Sequence, residues 1–281
     1  MNTKELWIYI LVGCFFLHLL SSCTTVLSGD PTPQPPQILT PTVQSRNIKH
    51  TIPVEDAERN YWVHEPLSLE ENQPVPLIIV MHGLGSKPQS MFKAGFNDLA
   101  DRENFLVLYP ELMDGDSTDL IEDFLDDVEE FYAIDSSRVF MTGFSLGGMR
   151  SYRAACIFSD RFAAIAPVAG AGECTDNLPT HPVSVLHIHG LADPEVPFQG
   201  GGNANHPAVE EAIGFWVGFN ECGIKPQEII EGEITHKKYS GCKKATAVEL
   251  ITIDAMVHKW PDREMETADI IWEFFKSNPK P

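Results

Sequence analysis

One serine lies between two glycines in a setting that suits a nucleophile. The stretch VFMTGFSLGGMR covers residues 139–150, and within it Gly143, Ser145 and Gly147 form a Gly-x-Ser-x-Gly motif. An apolar run precedes the motif and a segment of helical character follows it. This context predicts a sharp strand-to-helix turn that projects the serine hydroxyl above a sheet, with glycines removing side chains that would collide there. The alternative is a tight turn with no chemical role.

A serine hydroxyl needs a base, and the base needs an orienting acid. In this type of fold the three groups follow in the order Ser, Asp or Glu, then His. His258, on a loop between the last predicted strand and the final helix, is the predicted base, with His206 and His236 as alternatives. Asp193, just after the apolar run VSVLHIHG, is the predicted acid, because it could fix the tautomer of the histidine.

Other acidic and histidine residues are alternative acids or metal ligands. Asp176 and Glu195 are weaker acid candidates, and Asp254 is too close in sequence to His258 to approach it easily. His187 and His189 alternate as His-x-His, which would suit a metal. No acidic or histidine cluster accompanies them, so a structural role is expected and no metal site is predicted.

The developing negative charge on an ester oxygen requires two backbone N–H groups. The residue after the nucleophile, Leu146, is one predicted donor, and Leu84, in the loop after the strand PLIIVMHG, is the other. His82 and Trp260 are predicted to contact substrate. For Trp260, core packing against the terminal helix is an equally supported alternative.

Buried strands alternate with amphipathic helices along most of the chain. This alternation predicts an α/β fold with a mostly parallel sheet covered by helices on both faces. A β-hairpin is predicted at 47–54 and 59–65, and a short strand around His236. The other predicted strands are 76–83, 105–110, 138–143, 163–170, 183–190 and 247–253, and the predicted helices are 89–103, 119–133, 146–157, 207–219 and 267–276.

The 281-residue chain carries a formal charge of −20, with 43% hydrophobic residues. An acidic surface repels phosphates, so a nucleic-acid partner is not expected. The acidic residues between 111 and 130 are interpreted as the solvated face of a helix rather than a metal site.

The first residues are interpreted as an export signal. Residues 6–20 are almost continuously apolar, and small residues follow. The apolar run is too short for a membrane-spanning helix, which needs roughly 20 residues. Residues 1–23 resemble a lipoprotein signal peptide with Cys23 as the lipidated position. Cys14 is a second candidate, and an ordinary secretory signal is the alternative. Residues 24–46 are rich in proline and threonine and predict a linker, so the catalytic domain is placed at 47–281.

Four cysteines remain in the exported part of the chain, Cys156, Cys174, Cys222 and Cys242. An oxidising compartment favours disulfides, and four cysteines allow three pairings. Proximity favours Cys156 with Cys174 and Cys222 with Cys242. A four-cysteine zinc site is the alternative, but no Cys-x-x-Cys spacing is present.

Five stretches occur in the order HGLGS, RVFMTGFSLGGM, RFAAIAPVAG, HGLADPEVPFQGG and VHKWPD. Over about residues 48–276 the chain resembles the polyhydroxybutyrate depolymerase and feruloyl or acetylxylan esterase group of the α/β-hydrolase superfamily. The resemblance implies a triad of Ser145, Asp193 and His258 and a Cys222–Cys242 disulfide. Glycines common in the family around the histidine loop are replaced here by residues 255–257 and Asp262, which affects substrate preference more than catalysis.

Together these features predict a secreted serine esterase, anchored to a membrane through lipid, that needs no cofactor. The expected substrates are feruloyl or acetyl esters on plant polysaccharide, or short hydroxyalkanoate esters. A serine peptidase of the same fold and a non-catalytic binding lipoprotein are the rival hypotheses. The sequence does not determine the oligomeric state.

Overall fold

The computed structural model describes residues 46–54, 57–70 and 72–280. The predicted signal peptide, Cys23 and the linker up to residue 45 lie outside the described residues. The strands are β1 Arg46–Val54, β2 Ala57–Glu65, β3 Val75–Met81, β4 Leu106–Pro110, β5 Ile134–Phe144, β6 Ala164–Val168, β7 Ser184–Gly190, β8 Gln227–Glu231, β9 Ile234–Tyr239 and β10 Val248–Ile253. The helices are α1 Phe96–Glu103, α2 Leu120–Phe131, α3 Leu146–Ile157, α4 Val209–Phe219 and α5 Thr267–Ser277.

These strands form a single mixed sheet in the order β1-β2-β4-β3-β5-β6-β7-β10-β9-β8. The run from β4 to β10 is parallel, as the buried apolar strands predict. Antiparallel pairs flank it at both ends, with β1 and β2 at one end and β8 and β9 at the other. The predicted fold class, a mostly parallel sheet between helices, is confirmed.

Helices cover both faces of the sheet because its central strands are apolar on both faces. Along β3, Leu77, Ile79 and Met81 pack into a core shared with α2, α3 and α4, whereas Ile78 and Val80 pack into a second core shared with α1 and α5. We call these the α3 face and the α5 face of the sheet. The parallel strands end together, so the loops after β3 to β7 and β10 meet at one edge.

Two predicted elements differ from the structure. The single helix predicted for 89–103 is a 3₁₀ turn at Pro88–Lys93 followed by α1, because Gly95 between them has φ 94. A side chain at Gly95 would also approach Ala268 Cβ to 3.0 Å. The hairpin of β8 with β9 was predicted only as a short strand around His236, since its strands are polar and lack a buried apolar run.

Both disulfides that proximity favours are present. Cys156, near the end of α3, is joined to Cys174 in the loop after β6, and Cys222 after α4 is joined to Cys242 after β9. Each therefore ties a helix end on the α3 face to a neighbouring loop. Within the described ranges, every helix is too short or too polar to cross a membrane.

Candidate active site

Ser145 occupies a strained turn between β5 and α3. Its φ of 55° and ψ of −117° lie in a region that residues with a side chain rarely adopt. The Ser145 amide donates to the carbonyl of Val168 on neighbouring β6 at 2.9 Å, which holds the turn against the sheet. The strand-turn-helix context predicted from the motif is therefore present, and the hydroxyl projects at the edge where the parallel strands end.

The two glycines of the motif are required by close backbone approach. A Cβ at Gly143 would lie 2.7 Å from the carbonyl group of Gly147, and a Cβ at Gly147 would lie 2.6 Å from the carbonyl oxygen of Met81. Real Cβ atoms do not approach so closely, so α3 could not pack against β3 and β5 with alanine at either position.

Ser145, His258 and Asp193 form a continuous hydrogen-bonded series. The Ser145 hydroxyl lies 2.9 Å from Nε2 of His258, and Nδ1 of His258 lies 2.7 Å from Oδ2 of Asp193. Since the carboxylate can only accept, Nδ1 carries the proton and Nε2 is free to accept from the serine. This is the arrangement in which an imidazole can take the serine proton.

The Asp193 side chain is fully buried, and its orientation is fixed from several directions. Its Oδ1 accepts the backbone N–H groups of Glu195 and Val196, each at 2.9 Å. Its Oδ2 faces His258 and also lies 3.5 Å from Nε2 of His189. The turn that follows β7 thus places the carboxylate by its own backbone.

The two residues predicted to donate backbone N–H groups to an oxyanion lie on separate elements. Leu146 is the first residue of α3, and Leu84 is in the loop after β3. Among the described residues, neither amide donates to an acceptor. The Leu84 loop is held by Asp114, whose Oδ1 accepts the N–H of Gly85 at 3.1 Å.

Two residues predicted to contact substrate have other surroundings. His82 is only 3% exposed, and its Nδ1 donates to the Gly83 carbonyl at 2.9 Å. Burial lowers the pKa of His82, so the ring is neutral. The ring is almost fully buried in this structure, and contact between His82 and substrate stays a prediction.

Trp260 has the packing role that the sequence left open. Its ring is partly buried on the α5 face and lies edge-on to Phe96, with centroids 6.2 Å apart. This contact anchors the segment after His258 to α1. Trp260 follows the candidate base, His258, by two residues, and part of its ring stays exposed.

The alternative acids and bases lie elsewhere or face the wrong atom. His236 on β9 pairs with Glu249 at 2.6 Å, and His206 forms an isolated bridge with Gly201. Asp176 is exposed and lies 3.9 Å from Arg153. Glu195 comes within 3.8 Å of His258, but at Nε2, and its side chain is 72% exposed. It lies at the mouth of the site rather than behind the imidazole.

Several residues that support the site were missed from sequence. Arg150 on α3 is buried and donates to the carbonyl of Met113 at 2.6 Å, which fixes the loop that carries Asp114. Tyr152, also on α3, lies 2.8 Å from His187 of β7. The His-x-His alternation was the available signal for this pair, but nothing in the sequence links it to a tyrosine 35 residues earlier.

The described residues contain no group of three or more His, Cys, Asp or Glu side chains arranged to hold a metal ion. The acidic stretch of α2 instead carries an ion-pair cluster. Arg161 lies 3.0 Å from both Asp126 and Glu129 and 3.6 Å from Glu122. This geometry is that of a solvated helix face.

The chain is similar in sequence to known esterases. The family described as phospholipase/carboxylesterase matches residues 114–213. The sheet order, the strand-turn-helix at Ser145 and the positions of Asp193 and His258 on later loops are those of the α/β-hydrolase fold.

Its relatives come from the group that the sequence resembles. A probable feruloyl esterase C of Aspergillus niger is 28% identical over 237 residues, covering 77% of this chain and 83% of the relative. A bifunctional acetylxylan esterase/xylanase of Neocallimastix patriciarum is 30% identical over 153 residues, or 51% of this chain. The chain spans only 22% of the length of that protein. The resemblance to feruloyl and acetylxylan esterases is confirmed.

Solved structures agree on the fold. Acetyl xylan esterase from Aspergillus awamori superposes with a TM-score of 0.62 at 15% identity, covering 78% of this chain and 94% of the other. At that identity the likeness concerns architecture alone.

Proposed function

We propose that the protein is a serine carboxylesterase that works through an acyl-enzyme. The observation that carries the proposal is the unbroken series from Ser145 Oγ to His258 to Asp193, with both distances within hydrogen-bond range. A hydrogen-bonded base and a fixed acid make a serine nucleophilic. The esterase names of the relatives support the same class of reaction.

The first half of the reaction makes the acyl-enzyme. Ser145 Oγ attacks the ester carbonyl carbon while its proton passes to Nε2 of His258. The N–H groups of Leu84 and Leu146 bind the oxyanion, and the buried Asp193 carboxylate stabilises the imidazolium. The C–O bond to the alcohol then breaks, and His258 returns the proton to the leaving oxygen.

The second half releases the acid. Water gives its proton to His258 and attacks the acyl carbonyl through the same oxyanion geometry. Collapse restores the Ser145 hydroxyl with the proton held on Nε2. Asp193 stays ionised throughout, because its role is to orient and stabilise rather than to accept a proton.

The proposed substrates are feruloyl or acetyl esters linked to plant polysaccharide, with short hydroxyalkanoate esters as further candidates. Exposed apolar side chains on loops at the site edge suit an acyl group, among them Leu84 at 66% and Met113 at 53% exposure. The names of the relatives favour feruloyl and acetyl groups.

We further propose that the protein is exported and held at a membrane by lipid on Cys23. Two disulfides within one domain are typical of oxidising compartments. Cys23→Ser should then release the full chain from the membrane fraction. Unchanged retention in that variant would contradict lipidation at Cys23.

The test of the esterase proposal is hydrolysis by residues 46–281 beside Ser145→Ala. The panel contains p-nitrophenyl acetate, methyl ferulate, acetylated xylan, hydroxybutyrate oligomers and a peptide p-nitroanilide. We expect ester turnover that falls by about 10⁶-fold in the variant, with unchanged thermal unfolding. Turnover of the anilide alone would replace the esterase with a peptidase. A folded protein inactive on every substrate would overturn the proposal.

A further inference from the structure

Three buried polar side chains, Tyr152, His187 and His189, form a hydrogen-bonded chain next to Asp193. Tyr152 Oη lies 2.8 Å from Nδ1 of His187, and Nε2 of His187 lies 2.9 Å from Nδ1 of His189. Nε2 of His189 lies 2.8 Å from the carbonyl oxygen of Val196 and 3.5 Å from Oδ2 of Asp193. The reaction steps above use none of the three.

The direction of every hydrogen bond in this chain follows from its last acceptor. A carbonyl oxygen only accepts, so Nε2 of His189 carries a proton and its Nδ1 accepts. His187 must then donate from Nε2 and accept at Nδ1, where the Tyr152 hydroxyl donates. All three groups are satisfied in one arrangement of protons.

The surroundings keep that arrangement neutral. Burial lowers the pKa of His187 well below its usual value and lowers that of His189, while burial raises the pKa of Tyr152. A second proton on His189 would sit on Nδ1 and face the N–H of His187, and a second proton on His187 would sit on Nδ1 and displace the hydrogen bond from Tyr152. The two histidine rings therefore hold fixed tautomers.

The chain connects the two elements that carry the catalytic groups. Tyr152 lies on α3, which begins directly after Ser145. His189 is near the end of β7 and bonds to Val196 in the turn that carries Asp193. An apolar trio of the same volume would fill the space without the desolvation cost of burying polar groups. The polar atoms therefore serve a purpose other than packing.

We propose that Tyr152, His187 and His189 are positioning residues that set the Asp193 turn relative to α3. His189 fixes the turn through Val196 and presents its N–H beside the Asp193 oxygen that His258 uses. The proposal rests on the proposed esterase function for its kinetic consequence, although not for its geometry.

The first test compares two buried tyrosines. Tyr152→Phe removes the hydroxyl at the start of the chain, and Tyr109→Phe removes an equally buried hydroxyl on the α5 face, which donates to Asn97 at 2.7 Å. Both variants should lose similar thermal stability. We expect kcat to fall about tenfold in Tyr152→Phe alone, with KM unchanged, because small displacements of catalytic groups are costly in rate.

The second test acts on His189 and reads geometry directly. His189→Leu removes the N–H donor, whereas the Nε2 amide of His189→Gln can replace it. We expect kcat to fall about a hundredfold in the leucine variant and to be largely restored in the glutamine variant. The far-downfield ¹H resonance of the His258 Nδ1 proton should shift in His189→Leu and in Tyr152→Phe.

An unshifted resonance in Tyr152→Phe, or a kcat within twofold of Tyr109→Phe, would overturn the proposal. If His189→Leu does not fold, the tyrosine pair decides. The resonance needs no turnover, so it still tests the positioning role if the wild-type protein hydrolyses no ester and the proposed function fails.

Discussion

The two faces of β7 differ in what they bury. Leu186 and Ile188 pack on the α5 face, where Phe140 and Phe275 stack with centroids 4.7 Å apart. On the opposite face of the same strand, His187 and His189 carry hydrogen bonds between α3 and the Asp193 turn. Alternate residues of one strand therefore do different work: one set holds a helix to the sheet, the other orients a turn.

Along β7, the residues of one face contribute mainly to stability and the two histidines of the other face contribute mainly to the geometry of the site. Apolar contacts on the α5 face are non-directional and add to the free energy of unfolding. Hydrogen bonds on the α3 face add little net stability but fix atoms at defined distances. Substitutions among these apolar side chains should therefore change the free energy of unfolding. Substitutions among the hydrogen-bonded side chains should change kcat.

The largest expected effect comes from the acid at the end of the α3 face. Asp193→Asn keeps an oxygen for the N–H groups of Glu195 and Val196 but presents an amide to His258. The imidazole then adopts the wrong tautomer, and kcat should fall about 10⁴-fold with little change in unfolding free energy. The control is Asp176→Asn, which removes an exposed carboxylate and should leave kcat unchanged. Equal activities of these two variants would remove Asp193 from the proposed triad.

The next effect comes from the α5 face. Phe275→Ala removes a buried ring that stacks on Phe140 and should lower the free energy of unfolding by about 3–5 kcal/mol. Denaturant titration measures this, and kcat per folded molecule should stay near wild type. The matched control is Phe131→Ala, which removes a ring that is 59% exposed and should cost at most about 1 kcal/mol. A large loss of kcat in Phe275→Ala would break the separation between the faces.

The sequence predicts the elements with continuous or periodic apolar residues on both faces of the sheet, because apolar periodicity is a local signal. The strands β3 to β7 and β10 follow from continuous apolar runs, and α5 from its helical spacing. The hairpin of β8 and β9 does not, since its polar strands are specified by pairing with β10. The break before α1 follows from the positive φ of Gly95, where a side chain would also approach Ala268, and no apolar pattern reveals this.

For the site, the motif, the chain order, the predicted loop positions and the family resemblance together pointed to Ser145, Asp193 and His258, which the structure brings within hydrogen-bond distance. The burial of His82 and its bond to the Gly83 carbonyl could not be predicted, since they depend on how the loop after β3 packs. No sequence pattern links His187 with Tyr152 either, because their contact depends on how α3 packs against β7.

A third prediction compares the contributions of the two disulfides to stability. The two disulfides close loops of similar length, with sequence separations of 18 and 20 residues. Loop-closure entropy then predicts a loss of about 3 kcal/mol for Cys156→Ala with Cys174→Ala, and a similar loss for Cys222→Ala with Cys242→Ala. Urea unfolding of the two double variants measures both losses. Losses that differ severalfold would show that local packing, rather than loop closure, sets their contribution.

The effect that is smallest per residue and per pH unit is a pH dependence that belongs to the α3 face. Burial lowers the pKa of His187 and His189, so both stay neutral in the folded protein while the unfolded chain takes up protons below about pH 6.5. The unfolded state then binds more protons, and the free energy of unfolding should fall as the pH drops from about 7 to about 5. Each histidine contributes up to about 1.4 kcal/mol per pH unit.

Urea unfolding at several pH values separates this contribution from that of the carboxylates. The pKa values of Asp116 and Asp135 are lowered by hydrogen bonds from arginine and neighbouring groups, although burial opposes the shift, so both titrate at lower pH. In His187→Gln, the free energy of unfolding should depend less steeply on pH between about pH 5 and about pH 7. The slope should fall by the contribution of one histidine, up to about 1.4 kcal/mol per pH unit. His181→Gln, at an exposed position, should leave it unchanged. An unaltered slope in His187→Gln would mean that the buried imidazole gains its proton without unfolding, and the fixed tautomers of the α3 face would not hold.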